Sequence, residues 1–202
     1  KRQPDTDRVA VLADRVLSSS QRMGRMIEDL LDVTRIRHAG GLALQLGRAD
    51  MQSIVQRTLD EVQTSFPDRN IESVLQGDMA GVWDRERLCQ VATNIVGNAI
   101  HHGAPDQPVR VAVDGTQASV VTVAVSNGGT IAPELLPHLF DPFRGRDRAP
   151  GRHQGLGLGL FIAHQVVRAH GGRIDVHSQD GTTRFVVELP RVSPAAEKWS
   201  NT

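Results

Sequence analysis

Apolar side chains recur every three or four residues over the first forty positions of the chain. This spacing places them on one stripe of a helix, and such a stripe packs lengthwise against other helices. Ile27 and Leu31 widen the stripe near its end, which favours a four-helix bundle. Gly40-Gly41 ends the pattern, so we predict a helix from about Asp5 to Arg37. The stripe consists of Val9, Leu12, Val16, Ser19, Met23, Met26, Leu30 and Val33.

The next segment alternates between short strands and a helix. Residues 42–46 alternate leucine with other residues, which predicts a short strand. Asp50 is placed to cap a helix, and residues 71–75 predict a further strand. The helix after Asp50 carries its apolar side chains at Ile54, Val55, Leu59 and Val62.

Two predicted β-hairpins follow a helix that Asp84 is placed to cap. The first hairpin turns at Asp114-Gly115 and the second at Asp180-Gly181, and a helix from about Gly159 to Ala169 lies between them. These elements predict the α/β class, as a two-layer sandwich in which helices cover one face of a mixed sheet. The alternating positions are Val109, Val111, Val113, Val121, Val123, Val125, Ile174, Val176, Phe185, Val187 and Leu189.

The composition fits one small globular domain with an appended helix. The 202 residues are 39% hydrophobic, and 23 Lys and Arg balance 23 Asp and Glu. A net charge of zero gives no general attraction to nucleic acid or to an anionic membrane, so we expect neither partner. No apolar run reaches the roughly 18 residues of a membrane helix, so we expect no membrane segment here. Cys89 is the single cysteine, which excludes an internal disulfide.

Two asparagines one helical turn apart stand well ahead of a run of alternating glycine and leucine. The carboxamides of Asn94 and Asn98 share one helix face and can hold a hydrated magnesium ion and phosphate oxygens. The glycines of residues 155–160 let backbone amides and a helix N-terminus approach a polyphosphate. Together they predict a nucleotide site, although the glycine run alone also fits a loosely packed turn before an amphipathic helix.

Four motifs resemble, in order, those of sensor histidine kinases, within the wider GHKL group of ATP-binding proteins. Residues 90–99 resemble the asparagine box, residues 139–143 the phenylalanine box and residues 155–160 the second glycine box of the catalytic domain. Residues 20–36 are similar to the second helix of the dimerisation domain that precedes it. The resemblance implies the Bergerat fold of the GHKL group, with ATP and Mg²⁺ as its ligands.

The resemblance also implies a division of the chain and a set of partners. Residues 1–41 would form the second dimerisation helix, residues 42–191 the ATP-binding catalytic domain, and residues 192–202 a tail. The implied partners are a response regulator receiver domain and a second copy that pairs through the N-terminal helix in the full-length protein. The implied location is cytoplasmic.

Individual site residues follow from the same resemblance. Asn98 would be the magnesium ligand, and Asn94 would support the same shell of phosphate and metal. We expect Phe140 and Phe143 to pack at the hinge of a lid, and the arginines of residues 144–154 are candidates to neutralise the triphosphate. The residues implied around the nucleotide are Asn94, Asn98, His102, Asn127, Gly129, Phe140, Phe143, Gly155, Gly157, Gly159 and Leu160.

Position 94 separates branches of the group. Its ATP-hydrolysing members, and the related serine kinases, carry a glutamate there that activates the attacking group, whereas the amide of Asn94 cannot take up a proton. This difference argues against an ATP-driven clamp. It favours phosphoryl transfer to histidine, whose imidazole is a good nucleophile by itself.

The first glycine box, residues 125–133, departs from the family pattern because it has no carboxylate to accept the adenine amino hydrogen. Alignment from the preceding strand puts Asn127 in that place, as in bacteriophytochrome-like kinases, and alignment backward from Glu134 puts Ser126 there. An asparagine oxygen can accept the same bond without charge, so we expect weaker adenine discrimination. The missing acid also leaves open a degenerate module that acts only as a nucleotide sensor or scaffold.

None of the eight histidines has the setting of the family's phosphoacceptor, which is followed by an acid and soon by a proline. We therefore expect these 202 residues to bind ATP without phosphorylating themselves. The accepting histidine is expected on a preceding helix, outside residues 1–202.

Overall fold

The computed structural model describes residues 6–38, 42–143 and 156–192. Four predictions therefore fall outside the described residues: the glycine pair that ends the first helix, the lid of residues 144–154, Gly155, and the tail beyond Val192. The helices are α1 (Thr6–His38), α2 (Met51–Ser65), α3 (Arg85–His102) and α4 (Gly159–Ala169), with a 3-10 helix at Pro133–His138. The strands are β1 (Gly47–Asp50), β2 (Ile71–Gly77), β3 (Ala80–Trp83), β4 (Val109–Gly115), β5 (Val120–Gly128), β6 (Arg173–Gln179) and β7 (Thr182–Pro190).

A five-stranded mixed sheet has the order β2-β4-β5-β7-β6. Strands β2 and β4 pair in parallel, and the other neighbours pair antiparallel. The alternating valines of the two hairpins face the same side, since Val123 on β5 lies opposite Val113 on β4 and Val187 on β7. That side is buried beneath α2, α3 and α4, which confirms the predicted two-layer α/β sandwich.

The helices begin where the sequence places their caps. Asp50 Oδ1 accepts a hydrogen bond from the Ser53 amide at 2.8 Å, and Asp84 Oδ1 accepts one from the Arg87 amide at 3.1 Å. Each bond satisfies one of the amides that the first turn of a helix leaves unpaired. The buried apolar faces of α2 and α3 then cover the sheet, with Ile54, Val55, Leu59 and Val62 on α2 and Leu88, Val91, Ile95, Val96 and Ala99 on α3.

Helix α1 contacts the rest of the chain near its C-terminal end. Val33 is 4% exposed and Asp32 is 3% exposed, and both lie against the helical layer. Most of the predicted stripe faces solvent in the single chain, including Val16 at 69% exposure and Met23 at 57%. No helix within the three described ranges is long and apolar enough to cross a bilayer.

The strand predicted at residues 42–46 is wrong. Its leucines are half-buried, but the strand lies at Gly47–Asp50, where it pairs with β3 in a separate two-stranded sheet. Alternating side chains indicate only which face of a segment is covered. A strand also needs a neighbouring strand to form backbone hydrogen bonds, and β3 lies opposite residues 47–50. The first hairpin also turns later than predicted, since Asp114 and Gly115 complete β4.

Helices α3 and α4 are joined at their base by a buried histidine. His170, 0% exposed, follows α4 and accepts the Asp84 amide on Nε2 at 2.9 Å, and its Nδ1 lies 2.9 Å from the Val166 carbonyl oxygen. These bonds need a neutral ring that donates from Nδ1 and accepts on Nε2. Burial lowers the pKa of His170, which also favours the neutral ring.

Arg191 joins the connection between β2 and β3 to the connection between β4 and β5. Its guanidinium donates to the carbonyl oxygens of Ala80 at 2.7 Å, Asp78 at 2.6 Å and Gly115 at 2.7 Å, and also to Gln117. The loops approach closely, because a Cβ on Gly115 would lie within van der Waals overlap of the Asp78 carbonyl. A planar cation with five donors suits such a cluster of carbonyls better than an ammonium does.

We expect Arg191→Ala to lower the free energy of unfolding by about 3 kcal/mol, because it leaves several carbonyls without their charged donor. Arg191→Lys should recover less than half of the loss, since one ammonium cannot reach all the acceptors. Urea unfolding followed by circular dichroism measures both. Arg173→Ala, which removes an exposed ion pair with Glu188, is the control and should change little. Equal stability of Arg191→Ala and the wild type would contradict this account.

We expect the stability of the chain to fall as the pH drops below about 6.5, the ordinary pKa of histidine. Below this pH, His170 binds a proton in the unfolded chain but stays neutral when it is buried in the folded chain. The free energy of unfolding therefore falls by at most about 1.4 kcal/mol per pH unit from this group. Unfolding between pH 7.5 and 5 measures it. His170→Gln should flatten the profile, whereas the exposed His177→Gln should not. A profile unchanged by His170→Gln would refute the assignment.

Candidate nucleotide site

Helices α3 and α4 meet at Asn94 and Gly159. A methyl group added to Gly159 would lie 2.9 Å from Asn94 Oδ1 and 3.2 Å from its Cγ, so any side chain there would push the carboxamide aside. Gly159 is the first residue of α4. The structure therefore brings the asparagine helix and the glycine segment together at one point, as the sequence motifs predict.

The carboxamide of Asn94 is only partly used by the protein. Its Nδ2 is buried and has no hydrogen-bond partner among the described residues. A buried amide nitrogen without a partner is costly unless a ligand or water satisfies it. Asn98 is half-buried one turn further along the same helix. The two side chains thus form a polar strip that ends beside the start of α4.

Among the residues that the structure describes, no side chain caps the N-terminus of α4. Its cap residue, Leu158, is 1% exposed and makes no capping hydrogen bond. The first-turn amides of such a helix start are available to an anion, which the helix dipole also favours. Gly157 has a φ of +70°, a conformation that glycine adopts without strain, and it turns the chain into the helix. Leu160, in the first turn, is half-buried and packs against the core.

Asn127 lies beside the C-terminal end of α3. It is 5% exposed, and a Cβ on Gly103, the residue after α3, would lie 3.0 Å from its Cβ. Asn127 Nδ2 donates to the Gly128 carbonyl at 2.9 Å. The side-chain oxygen is therefore the atom that is left to accept a bond from a ligand.

Gly129 continues from Asn127 with a φ of +109°, which favours glycine. Its amide donates to the Gly181 carbonyl at 2.7 Å, and its carbonyl accepts from Thr183 Oγ1 at 2.8 Å. The second hairpin thus holds the first glycine box in place. His102 is exposed, and its carbonyl would be 3.6 Å from a Cβ on Gly129.

A pair of hydroxyl groups that the sequence does not predict lies beneath Gly129. Thr183, 3% exposed, lies opposite Asn127 across β5 and β7, and its Oγ1 is 2.8 Å from Ser178 Oγ. Ser178 Oγ in turn accepts the Ile131 amide at 2.7 Å. The period of two predicts which residues of β7 face inward, but the register between β5 and β7 depends on pairing that no local motif encodes.

The phenylalanine box makes one contact with the glycine segment and one with the body of α4. The Phe143 amide donates to the Gly157 carbonyl at 3.1 Å, and Phe143 has a φ of +67°, an uncommon value for a bulky residue. Phe140 stacks on His164 of α4, with ring centroids 5.0 Å apart. Burial, and then Arg168, lower the pKa of His164, which favours the neutral form of the stacked ring.

The site has the chemistry that a hydrated magnesium ion needs. Within residues 6–38, 42–143 and 156–192, no group of three His, Cys, Asp or Glu side chains is placed to hold a metal ion. Mg²⁺ commonly keeps several waters and uses one or two protein oxygens together with substrate phosphates. The amide oxygen of Asn98 fits that limited role, and the unpartnered amide of Asn94 next to it fits a phosphate oxygen.

Comparison with known proteins places this site in a described family. The family model of histidine kinase-, DNA gyrase B-, and HSP90-like ATPases matches residues 83–193, which include α3, α4 and the whole site between them. The match covers more than half of the chain.

Curated relatives extend the similarity to nearly the whole chain. A bacteriophytochrome of Pseudomonas aeruginosa is 32% identical over 184 residues, which are 91% of this chain and 25% of that protein. The sensor protein SrrB of Staphylococcus aureus is 32% identical over 180 residues, 87% of this chain and 31% of that protein. The chain thus spans between a quarter and a third of the length of these relatives.

The fold also occurs in solved structures. Full-length ShkA, in complex with AMPPNP, superposes with a TM-score of 0.73 at 22% identity, and the match covers 94% of this chain and 40% of that one. At this identity the likeness concerns the fold alone.

Proposed function

The chain belongs to the family of histidine kinase-, DNA gyrase B-, and HSP90-like ATPases, and from this premise we propose that it is the ATP-binding catalytic part of a sensor histidine kinase. In this proposal it transfers the γ-phosphate of ATP to a histidine outside residues 1–202. A response regulator receiver domain then accepts the phosphate on an aspartate. The catalytic domain comprises residues 42–191, and residues 1–41 belong to the dimerisation helix.

The observation that carries the proposal is the meeting of Asn94 and Gly159. A half-buried carboxamide lies against the start of α4, and within the described part of the chain its nitrogen has no partner and the helix start has no side-chain cap. Amide donors, a helix N-terminus and an amide oxygen for a metal are the groups that a polyphosphate with Mg²⁺ requires. The ion, when bound, would neutralise charge on the phosphates, and Asn98 would supply its protein ligand.

The chemistry of Asn94 favours histidine over water as the acceptor. An amide can position a phosphate oxygen or the attacking group but cannot remove a proton. Imidazole attacks without that help, whereas water does not. A chain with an amide at this position is therefore suited to phosphoryl transfer and poorly suited to steady ATP hydrolysis.

The partners follow from the same proposal. The exposed apolar stripe of α1, which includes Val16 and Met23, is suited to pairing with further helices of a dimeric bundle. Such a bundle would present the accepting histidine to the nucleotide domain and later to the receiver domain. Transfer from ATP assigns the protein to the cytoplasm, where ATP is supplied.

A second candidate is a nucleotide sensor or scaffold without kinase activity. It is favoured by Asn127, which stands where the family has a carboxylate for adenine. The amide oxygen accepts a weaker bond than a carboxylate does, so the affinity for ATP is lower but is not abolished. The two candidates differ in whether bound ATP is transferred or only sensed.

We expect Asn98→Ala to weaken ATP binding at least tenfold in the presence of Mg²⁺ and to change it little in EDTA, because only the metal-bound complex uses this oxygen. Isothermal titration calorimetry with ATP measures both conditions. Asn70→Ala, which removes an exposed asparagine side chain outside the site, is the matched control. Equal Mg²⁺-dependent affinities of Asn98→Ala and the wild type would show that Asn98 is not the metal ligand.

We expect AMPPNP with Mg²⁺ to raise the melting temperature of the wild type more than that of Asn127→Ala, because the alanine has no acceptor for the adenine amino group. The shift is measured for each protein against its own ligand-free sample, so a loss of stability does not mimic a loss of binding. Identical shifts would remove Asn127 from the adenine site. No shift in either protein would favour a scaffold that does not bind nucleotide.

A further inference from the structure

Helix α1 carries a buried carboxylate that faces the first turns of α3. Asp32 is 3% exposed, and its Oδ2 accepts from Arg87 Nη1 at 2.6 Å and from Gln90 Nε2 at 3.0 Å. On the outer side, Arg35 Nη1 lies 4.0 Å from Oδ1. A carboxylate on a solvent-exposed helix surface would be hydrated and not buried. The burial and pairing of Asp32 therefore mark where α1 docks on the nucleotide domain.

The docking contact depends on this pairing. A buried carboxylate is stable only when charged or strongly polar donors replace its water. Arg87 and Gln90 lie one turn apart on α3 and converge on the same oxygen. Beside them, Val33 contributes buried apolar area. The contact is therefore specific in geometry, since a shift of α1 along its axis would separate Asp32 from both donors.

The same turn of α3 is held by two other elements. Asp84, its cap residue, accepts the Arg87 amide on Oδ1 and the Gln45 amide on Oδ2 at 2.8 Å, and its own amide donates to His170 at 2.9 Å. Gln45 belongs to the connection between α1 and β1, and His170 follows α4. The base of α3 thus joins α1, this connection and α4.

The other end of the α3 and α4 pair is the nucleotide site. Asn94 lies about two turns beyond Arg87 on α3, and it contacts the first residue of α4, Gly159. The helices are fixed to each other at the base by His170 and meet again at Asn94. Closely packed helices transmit a displacement of one end to the other.

We propose that Asp32 couples the docking of helix α1 to nucleotide binding at Asn94 and Gly159. This inference rests on the proposed function for the identity of the nucleotide. Asp32 and Arg87 act as positioning residues: they lie about two helical turns from Asn94, and they fix the orientation of the helix that carries it. Because coupling between two binding events is reciprocal, bound nucleotide also stabilises the docked position of α1.

The test uses Asp32→Asn, which keeps the shape and removes the charge, in the 202-residue chain. Hydrogen exchange of the amides of residues 29–36 reports docking, and calorimetry with ATP and Mg²⁺ reports binding. We expect exchange to rise at least fivefold and the affinity for ATP to fall about fivefold, because the undocked chain binds nucleotide more weakly. In the wild type, ATP with Mg²⁺ should slow the same amides. Glu28→Gln, an exposed acid one turn earlier, is the matched control and should change neither.

Two further variants separate positioning from a general loss of stability. Arg87→Gln combined with Asp32→Asn should weaken binding no more than the larger single change does, because both remove one interaction. Gln90→Ala removes a neutral donor and should act in the same direction with a smaller effect. Amides of β4 and β5 should exchange as in the wild type throughout.

Unchanged affinity in Asp32→Asn together with faster exchange in α1 would overturn the coupling and leave the proposed function intact. Unchanged exchange in α1 would show that Asp32 does not hold the helix, which also overturns the inference. Faster exchange throughout the sheet would show that Asp32→Asn destabilises the whole fold, which would overturn the specific coupling role of Asp32. If the wild type itself does not bind ATP with Mg²⁺, the proposed function and the inference fail together.

Discussion

The fold depends on how closely α3 packs against α4. At Gly159 the start of α4 lies so near Asn94 that a methyl group would displace the carboxamide. That closeness gives the site its two kinds of ligand group at once, side-chain amides from one helix and backbone amides from the start of the other. It also explains why position 159 needs a glycine: a side chain there would collide with Asn94, whereas the backbone angles do not require glycine.

The packing of these helices is set at their far end by polar groups and not by apolar contacts alone. His170 has no exposed surface and satisfies both ring nitrogens, one with the Val166 carbonyl and one with the Asp84 amide. A buried, fully bonded network is geometrically demanding, because each donor and acceptor has one useful direction. Apolar side chains would bring α3 and α4 together equally well, but they would fix the register less strictly.

The predicted elements and the observed ones differ where pairing partners are distant in the chain. The helix caps at Asp50 and Asp84 are predictable from the sequence, because a capping hydrogen bond spans only three residues. The strand placed at residues 42–46 failed, since its true position depends on β3, which lies more than thirty residues away. The roles of Arg191 and Thr183 are not predictable from the sequence for the same reason. Arg191 bonds two connections, at residues 78–80 and 115–117, that are distant from it in the chain. Thr183 lies opposite Asn127 only because β5 and β7 pair.

The sequence by itself determined the periodicities, the caps and the turn at Asp180-Gly181, and with them the α/β class and the order of the motifs. These features rest on interactions between near neighbours, which a linear pattern records. Only the tertiary structure decided that Asn94 meets Gly159, that the Asn94 nitrogen has no partner in the ranges that the structure describes, and that Asp32 is buried against α3. Such facts follow from the close packing of distant segments, where tenths of an ångström decide whether a group is satisfied or free to bind a ligand.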